Sequence, residues 1–319
     1  MKMRKVLVTA TNYSKLCKEG LDKLLKYGCE VKENPYNRQY SSEELKKDIG
    51  DVEAVIASIE KWDEEAFQAA PKLRVIARFG TGIDSVDLEA AKRHGVIVTN
   101  CPGLNASAVA EHTVALLLSM VRYIPQLNAD THQGKWTRTI FHELTDKTVG
   151  ILGFGAVGQS FAKKISGFGV KLIACSRSPK KEIAEKLNVK MCEFDEVIRK
   201  SDYISIHLPH LPETHHIINA QSIAAMKDGV YIVNTARGPI VDEKAVLAAL
   251  ESGKIAGMAS DVFEKEPVTP DYPLFNSPNY ICTPHSAGET YENYRKTGLT
   301  TATAVIDVFE GKEPQNRRV

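Results

Sequence analysis

Three segments of the chain carry side chains that can act together on a small acid, and each segment follows a predicted strand. They contain Arg237, Glu266 and His285. A guanidinium binds a substrate carboxylate through two parallel hydrogen bonds and polarises a neighbouring carbonyl. An imidazole donates a proton to that carbonyl oxygen as hydride arrives from a nicotinamide, and removes it in the reverse direction. A nearby carboxylate stabilises the imidazolium and raises its pKa.

Each of these residues has a simpler explanation when it is taken alone. An arginine after a strand is usually a surface charge, a loop glutamate is usually solvated, and a histidine there can cap a helix. The carboxyl ends of parallel strands, however, lie at one edge of the sheet, where α/β proteins bind ligands. This shared position favours a catalytic group made of Arg237, Glu266 and His285.

A glycine motif supports that interpretation. Gly153, Gly155 and Gly158 form a G-x-G-x-x-G string after a predicted buried strand and before an amphipathic helix. The bare string is weak evidence, because an ordinary strand-to-helix turn also produces it. In a strand–helix–strand unit these glycines permit a tight turn and let a pyrophosphate approach the helix N-terminus. We therefore expect a dinucleotide site.

The end of the next predicted strand indicates which dinucleotide to expect. An NAD site places an acidic residue there to hold the ribose hydroxyls. This chain has Ser176 and Arg177 instead, with no carboxylate before Glu182. A guanidinium and serine hydroxyls suit a 2′-phosphate. The residues favour NADP, while NAD, with a solvated turn at these positions, stays open.

Short apolar runs alternate with amphipathic stretches, which predicts an α/β protein with two doubly wound parallel sheets. The predicted strands cover residues 6–8, 55–57, 75–77, 96–98, 149–152, 170–175, 203–206, 230–233, 255–259 and 280–282. We predict a long helix over residues 105–122 that Pro125 stops. A last helix over residues 290–310 is expected to pack back on the first domain.

The length of 319 residues suits two domains. We expect residues 1–101 and 289–319 to form a discontinuous substrate domain, and residues 102–288 to form a dinucleotide-binding domain. No low-complexity linker separates them, so a ligand cleft between the two domains is predicted.

Composition excludes several classes of partner. The 41 Lys and Arg against 40 Asp and Glu leave a charge of +1, which argues against long nucleic acid or a membrane surface. No apolar run approaches the roughly 20 residues of a transmembrane helix, and the N-terminus shows no secretory signal. Six scattered cysteines predict thiols in a reducing cytoplasm. The adjacent His215 and His216 fit no metal-ligand spacing, so we interpret them as a solvated loop and expect no metal.

Over residues 73–288 the chain resembles the D-isomer-specific 2-hydroxyacid dehydrogenases. The resemblance rests on RFGTGID (78–84), VAEHT (109–113), the glycine loop, HLP (207–209), NTARG (234–238), DVF with EP (261–263 and 266–267) and TPH (283–285). It implies a flavodoxin-like first domain, a Rossmann second domain and hydride transfer between a nicotinamide and a small 2-keto or 2-hydroxy acid. It also implies a homodimer formed through the cofactor domain, partly by the helix that carries Ala110 and Glu111.

The resemblance further implies roles for individual residues. Arg237 binds the substrate, Glu266 orients the histidine, and His285 transfers the proton. Together with the residues argued above, the expected cofactor contacts are Gly153, Gly155, Ala156, Val157, Gly158, Ser176, Arg177, His207, Pro209, Thr214, Thr235, Ala236, Asp261, Ser286, Ala287 and Gly288. The expected substrate contacts are Arg78, Gly80, Thr81 and Gly82, with the main-chain amides of the last three holding the substrate carboxylate.

The chain departs from the family's pattern at several positions. Ser176 and Arg177 replace the Asp-Pro ending common in NAD-using members, which is consistent with NADP. Ser286 and Ala287 stand where many members have Ile-Gly-Gly. His210 replaces an apolar residue, and we have no functional account of it. Because the chain stops at residue 319, the regulatory domain of long phosphoglycerate dehydrogenases is expected to be absent.

The resemblance leaves the substrate open. A reductase of the glyoxylate or hydroxypyruvate type is the main hypothesis, because NADPH is usually kept reduced. A short phosphoglycerate dehydrogenase is the alternative, since Arg78 matches a position that contacts substrate phosphate in those enzymes. A dinucleotide-sensing, corepressor-like binding protein is a third hypothesis. The charge balance and the lack of long disordered tails favour an enzyme over that sensor.

Overall fold

The computed structural model describes residues 3–136 and 138–319. The chain divides into two compact units. The first is formed by the residues up to Asn105 together with Glu289–Val319, and the second is Ala106–Gly288.

The first unit is an α/β layer structure. Its strands are β1 (Arg4–Val8), β2 (Cys29–Glu33), β3 (Ala54–Ala57), β4 (Val75–Arg78) and β5 (Ile97–Thr99). Its helices are α1 (Tyr13–Leu16), α2 (Lys18–Tyr27), α3 (Ser42–Asp48), α4 (Glu64–Gln68), α5 (Leu88–Arg93) and α13 (Tyr291–Phe309), the last of which is far along the chain. In the described part of this unit, five parallel strands follow the order β2-β1-β3-β4-β5, which is the flavodoxin-like order.

The apolar runs of β3 and β4 explain their central place in this sheet. Both strands are buried at every residue, as expected for parallel strands covered on two faces. Helix α13 contacts α2, β3 and β4, and its residues join the apolar core of one sheet face. The final helix therefore belongs to the first unit, where we expected it to pack.

The second unit contains the remaining elements. Its strands are β6 (Thr148–Leu152), β7 (Lys171–Cys175), β8 (Val189–Met191), β9 (Tyr203–Ile206), β10 (Val230–Asn234), β11 (Ile255–Ser260) and β12 (Tyr280–Cys282). Its helices are α6 (Ala106–Val121), α7 (Ile124–His132), α8 (Ala156–Ile165), α9 (Lys181–Lys186), α10 (Phe194–Lys200), α11 (Ala220–Ala225) and α12 (Glu243–Glu251). Short 3₁₀ helices cover Ser166–Phe168, Gly238–Ile240 and Pro273–Asn276.

The strand order of the second unit creates a ligand-binding position. In the described residues, seven parallel strands follow the order β12-β11-β10-β9-β6-β7-β8. Strand order reverses between β6 and β9, and open α/β sheets bind ligands outside the carboxyl ends of the strands at such a switch point. The sheet is thus of the Rossmann type, and the fold class predicted from the sequence is confirmed.

The prediction that Pro125 stops the long helix was wrong. Helix α6 already ends at Val121, and Tyr123 adopts a left-handed conformation with φ 52°. Pro125 lies in the first turn of α7, where proline is well tolerated because the first helical N–H groups have no intrahelical partner. The proline therefore helps to start the next helix.

Three further findings concern the cysteines, membrane-spanning helices and metal sites. The six cysteines all lie in described residues and are free thiols. Among residues 3–136 and 138–319, no helix combines the length and apolarity that crossing a membrane requires. The same residues contain no cluster of three or more His, Cys, Asp or Glu side chains arranged to hold a metal ion.

Candidate active site

The glycine loop connects β6 to α8 and leaves open space at the helix N-terminus. Gly153 has φ 98°, and a Cβ there would lie 2.5 Å from the carbonyl oxygen of His207. A Cβ on Gly158 would lie 2.2 Å from the carbonyl oxygen of Gly153. A Cβ on Gly155, the N-cap of α8, would meet nothing within 4 Å. The outer glycines therefore allow close packing, while the middle one leaves the room that a pyrophosphate at a helix N-terminus needs.

The segment after β9 lies directly against this loop. The His207 N–H donates to the carbonyl of Leu152 at 2.7 Å, and its Nε2 lies 2.8 Å from Ser205 Oγ. Burial lowers the pKa of His207 to about 3, so its ring is neutral at ordinary pH. Thr214 Oγ1 donates to the carbonyl of Pro209 at 2.7 Å, which closes the turn that follows.

The predicted selectivity residues follow β7. Ser176 is partly exposed, and Arg177 is exposed. Arg177 Nη1 lies 2.7 Å from Glu213 Oε1, and the two side chains are 70% and 55% exposed. An acidic side chain thus reaches this place from another part of the chain, which the local sequence after β7 did not indicate.

His285 and Glu266 form a hydrogen-bonded pair. His285 Nδ1 lies 2.7 Å from Glu266 Oε2, while Glu266 Oε1 accepts the Phe263 N–H at 3.0 Å. Burial acts to raise the pKa of Glu266, but the hydrogen bond and charge of His285, the Phe263 N–H and the Arg237 charge together lower it. Glu266 is therefore a carboxylate, and its His285 partner must donate from Nδ1.

The loop that carries Arg237 packs closely on the loop that carries Glu266. A Cβ on Gly238 would lie 1.9 Å from the carbonyl of Phe263, so only glycine allows this approach. Asn234 shapes the same loop: its Oδ1 accepts the Ala236 N–H at 3.0 Å, and its Nδ2 donates to the Arg237 carbonyl at 3.0 Å. The backbone thus places Arg237 beside the Glu266 loop.

Asp261 holds the segment after β12. This carboxylate is almost fully buried, and it accepts the N–H groups of Ser286 at 2.9 Å and Ala287 at 2.8 Å. Thr235, directly after β10, is also buried, and its Oγ1 lies 2.8 Å from Thr113 Oγ1. Gly288 is the last residue of the second unit.

Four predicted substrate residues belong to the first unit, at the carboxyl end of β4. Thr81 is exposed, its Oγ1 donates to the Cys101 carbonyl at 3.0 Å, and its own carbonyl accepts from Asn100 Nδ2 at 2.6 Å. Gly80 and Gly82 flank it. Arg78, in contrast, is only 8% exposed, and its Nη1 donates to the carbonyl of Phe79 at 2.9 Å.

The second unit is similar in sequence to a known protein family. Residues 114–287 match the family described as D-isomer specific 2-hydroxyacid dehydrogenase, NAD binding domain. The chain belongs to the D-isomer-specific 2-hydroxyacid dehydrogenases. The matched region contains the glycine loop and the open N-terminus of α8, so the second unit is a nicotinamide dinucleotide-binding domain.

Relatives with named activities support the same family. The chain is 39% identical over 304 residues to a D-3-phosphoglycerate dehydrogenase of Archaeoglobus fulgidus, covering 94% of this chain and 57% of that protein. It is 37% identical over 282 residues to a glyoxylate reductase of Thermofilum pendens, covering 86% and 83%. The chain thus spans little more than half the length of its phosphoglycerate dehydrogenase relatives. The crystal structure of a glyoxylate reductase from Paecilomyes thermophila superimposes with a TM-score of 0.87 at 29% identity, covering 99% and 98%.

Within this dehydrogenase family fold, the predicted residues of the second unit follow the carboxyl ends of six strands. The glycine loop follows β6, Ser176 and Arg177 follow β7, and the His207 segment follows β9. Arg237, Glu266 and His285 follow β10, β11 and β12.

Sequence reasoning did not assign a role to several residues that shape the site. Asn234 and Gly238 control the Arg237 loop, and His112 lies 2.9 Å from Thr283 Oγ1. These residues lie inside the quoted motifs NTARG, VAEHT and TPH. Their motifs were therefore visible in the sequence, but the contacts between distant motifs were not.

Proposed function

We propose that the protein is an NAD(P)-dependent D-2-hydroxyacid dehydrogenase that reduces a small 2-keto acid of the glyoxylate or hydroxypyruvate type. The 2.7 Å pair of His285 Nδ1 and Glu266 Oε2 carries this proposal. The pair lies at the same sheet edge as the dinucleotide-binding glycine loop, and Arg237 is on the neighbouring loop. An acid that orients a histidine, beside a guanidinium, suits proton transfer to an oxygen next to a carboxylate.

In this proposal the three side chains divide the work of reduction. A reduced nicotinamide bound at the second unit would supply the hydride to the substrate C2 atom. Glu266 accepts from His285 Nδ1, which leaves Nε2 as the nitrogen that faces substrate. His285 gives the Nε2 proton to the carbonyl oxygen, so hydride and proton together convert the keto acid to the hydroxy acid. Arg237 holds the substrate carboxylate and polarises the carbonyl.

We propose that NADP is the preferred dinucleotide. Arg177 is exposed after β7 and forms a surface ion pair with Glu213. Such exposed ion pairs contribute about 0–1 kcal/mol, and a phosphate carries more negative charge than a single carboxylate. A 2′-phosphate therefore competes well with Glu213 for the guanidinium. Binding of NAD remains the alternative, because Glu213 is an acid near the same position.

The surroundings of Arg78 favour a substrate without a phosphate group. Arg78 Nη1 donates to the carbonyl of Phe79, and it lies 3.4 Å from the carbonyl of Ala57. The Arg78 charge also acts on Glu60, which is 1% exposed and whose pKa burial raises. A guanidinium engaged inside the unit supports the Gly80 loop. We propose that the loop amides of residues 80–82 hold the substrate carboxylate, and that Arg78 supports them without binding a phosphate.

Three further proposals concern the roles of the two domains, the cellular location and the oligomeric state. We propose that residues 1–101 and 289–319 act as the substrate domain, with residues 102–288 as the dinucleotide-binding domain. The free cysteines support a cytoplasmic location.

We also propose a homodimer. Trp136 and Ile140 are 85% and 98% exposed, which is unusual for large apolar side chains. Ala110 is buried within the unit, so of the two helix positions expected at the interface only Glu111 reaches the surface. Light scattering of the purified protein is expected to show two copies, and replacing Trp136 and Ile140 by serine should favour the monomer.

A kinetic panel tests the proposed activity. The purified protein is given NADPH or NADH with glyoxylate, hydroxypyruvate, other small 2-keto acids and a phosphorylated 2-keto acid. We expect kcat/KM to be highest for an unphosphorylated acid with NADPH. A preference for the phosphorylated acid would favour the phosphoglycerate dehydrogenase alternative. Tight dinucleotide binding without turnover of any acid would favour the sensor.

A further inference from the structure

His112 lies on α6 and connects that helix to the loop that carries His285. Its side chain is 26% exposed, and its Nε2 lies 2.9 Å from Thr283 Oγ1. Thr283 follows β12 and is two residues before His285. Neither His112 nor Thr283 is among the residues expected to contact substrate or dinucleotide.

The direction of these hydrogen bonds follows from the number of protons available. Thr283 Oγ1 also lies 2.5 Å from Asp261 Oδ1, and a carboxylate can only accept. The single hydroxyl proton of Thr283 is therefore directed at Asp261. His112 Nε2 must then be the donor to Thr283 Oγ1, which fixes the His112 ring as the tautomer, or the cation, with a proton on Nε2.

The chain of hydrogen bonds ends on both sides of His285. Asp261 accepts from Thr283 before it and from the N–H groups of Ser286 and Ala287 after it. His285 itself has φ 53°, a left-handed conformation that is uncommon for a residue with a side chain. The hydrogen bonds of Asp261 on both sides of His285 restrain the backbone in this conformation.

A neighbouring contact shows that α6 supports a second catalytic loop in the same way. Thr113 Oγ1 donates to the Val109 carbonyl at 2.7 Å, so the 2.8 Å contact with Thr235 Oγ1 must be donated by Thr235. Thr235 is two residues before Arg237. Adjacent residues of one helix thus contact the loops of both Arg237 and His285.

We propose that His112 and Thr283 are positioning residues that hold His285 in line with Glu266 through Asp261. The inference rests on the proposed function, since it assigns a role within the same site. Misplacement of a catalytic group by about 1 Å can lower a rate about 100-fold. The role of His112 is to prevent such a shift, without contact to substrate or dinucleotide.

Paired variants test this role. His112→Leu removes the donor, whereas His112→Gln retains an N–H near the Nε2 position. Thr283→Val removes the hydroxyl at nearly constant volume, and Thr283→Ser retains it. We expect His112→Leu and Thr283→Val each to lower kcat 10- to 100-fold with the dissociation constant of the dinucleotide changed less than threefold. The Gln and Ser variants should recover most of kcat, and the His112→Leu, Thr283→Val double variant should be no worse than either single one.

A matched control separates positioning from loss of stability. Ser201 Oγ is a buried hydroxyl of the same unit, donates to the Val197 carbonyl at 2.6 Å and lies outside the catalytic loops. Ser201→Ala should lower Tm and leave kcat unchanged. A His112→Leu variant with the kcat of the wild type, or a Gln variant no better than Leu, would overturn the proposal.

A measurement independent of activity addresses the hydrogen-bond chain itself. Two-bond ¹H–¹⁵N spectra of histidine-labelled protein report which ring nitrogen carries the proton. We expect an Nε2 proton on His112 of the wild type, and loss of that fixed state in Thr283→Val. A proton on Nδ1 of His112 but not on Nε2 in the wild type would contradict the proposed hydrogen-bond chain. Absence of turnover with every acid would instead contradict the proposed function. The spectra would still show whether the hydrogen-bond chain from His112 to Asp261 exists.

Discussion

At the scale of single residues, the hydrogen bonds of the site are determined by groups that can only accept or that have a single proton to donate. Glu266 is a carboxylate because His285, Phe263 N–H and Arg237 together lower its pKa against the effect of burial. A carboxylate accepts, so the orientation and tautomer of His285 follow from Glu266. The same reasoning determines the direction of the Thr283 hydroxyl, whose one proton is donated to Asp261.

Replacement of Arg177 tests cofactor selectivity. Arg177→Ala removes the cation proposed for the 2′-phosphate, and a lost charged hydrogen bond costs about 1.5–3 kcal/mol. We therefore expect NADPH affinity to fall about 10- to 100-fold while NADH affinity changes less than about threefold. Fluorescence titration with both dinucleotides measures this.

The partner of Arg177 provides the control. Glu213→Gln removes the competing carboxylate at 2.7 Å, so NADPH affinity should rise slightly or stay constant. Equal losses of NADPH and NADH affinity in Arg177→Ala would contradict the selectivity assignment.

At the scale of structural elements, different glycines of the β6–α8 connection serve packing and ligand binding. Gly158 faces the Gly153 carbonyl at a distance that excludes a Cβ, whereas Gly155 faces open space. Gly155 also has φ −78°, which any residue adopts. The motif therefore contains glycines of two kinds.

Alanine substitution distinguishes these two kinds. Gly155→Ala should keep the stability within about 1 kcal/mol, the usual size of an N-cap effect, and should weaken dinucleotide binding because the methyl occupies the approach to the helix. Gly158→Ala should destabilise the protein by about 1–3 kcal/mol through overpacking. Thermal melts and dinucleotide titrations check this pair. Strong dinucleotide binding by a stable Gly155→Ala variant would contradict the assigned site.

The sequence predicted the central strands because both faces of each strand are covered. Strands such as β3, β4 and β9 are buried at every residue and therefore appear as continuous apolar runs. The edge strands β2 and β8 were missed, since their exposed residues break that pattern. The α6–α7 break was misplaced because Tyr123, not a proline, adopts the left-handed conformation that ends the helix.

Prediction of the site had a similar limit. Arg237, Glu266 and His285 were visible because each follows a strand, and parallel strands bring such positions to one edge. Contacts across the sheet, such as His112 with Thr283 or Arg177 with Glu213, depend on side-chain directions and loop paths. The sequence contains these residues but not their pairing.

At the scale of the whole molecule, the near-zero charge does not describe the local chemistry. The +1 total allows a cationic group at Arg237 and a neutral, partly buried histidine at His207 in the same unit. His207 links that site to the stability of the fold, because its pKa is about 3 in the folded protein. An unfolded histidine has a pKa of about 6.5.

This difference predicts acid sensitivity. Between pH 6.5 and 3 the unfolded state binds more protons at His207, so the free energy of unfolding falls as pH decreases, by up to about 1.4 kcal/mol per pH unit. Between pH 6 and pH 4, the free energy of unfolding of His207→Gln should fall by about 2 kcal/mol less than that of the wild type. Urea unfolding of the dinucleotide-free protein measures this. An equal slope in wild type and His207→Gln would contradict the neutral state of the His207 ring in the folded protein.

The most direct measurement of the central claim is the reduction rate of His285→Ala. General acid catalysis contributes about 100- to 10,000-fold, so kcat with the best 2-keto acid and NADPH should fall within that range. Dinucleotide affinity should stay within about threefold of the wild type, because the ring is assigned to proton transfer. Turnover close to that of the wild type in His285→Ala would contradict the assignment of His285 as the proton donor.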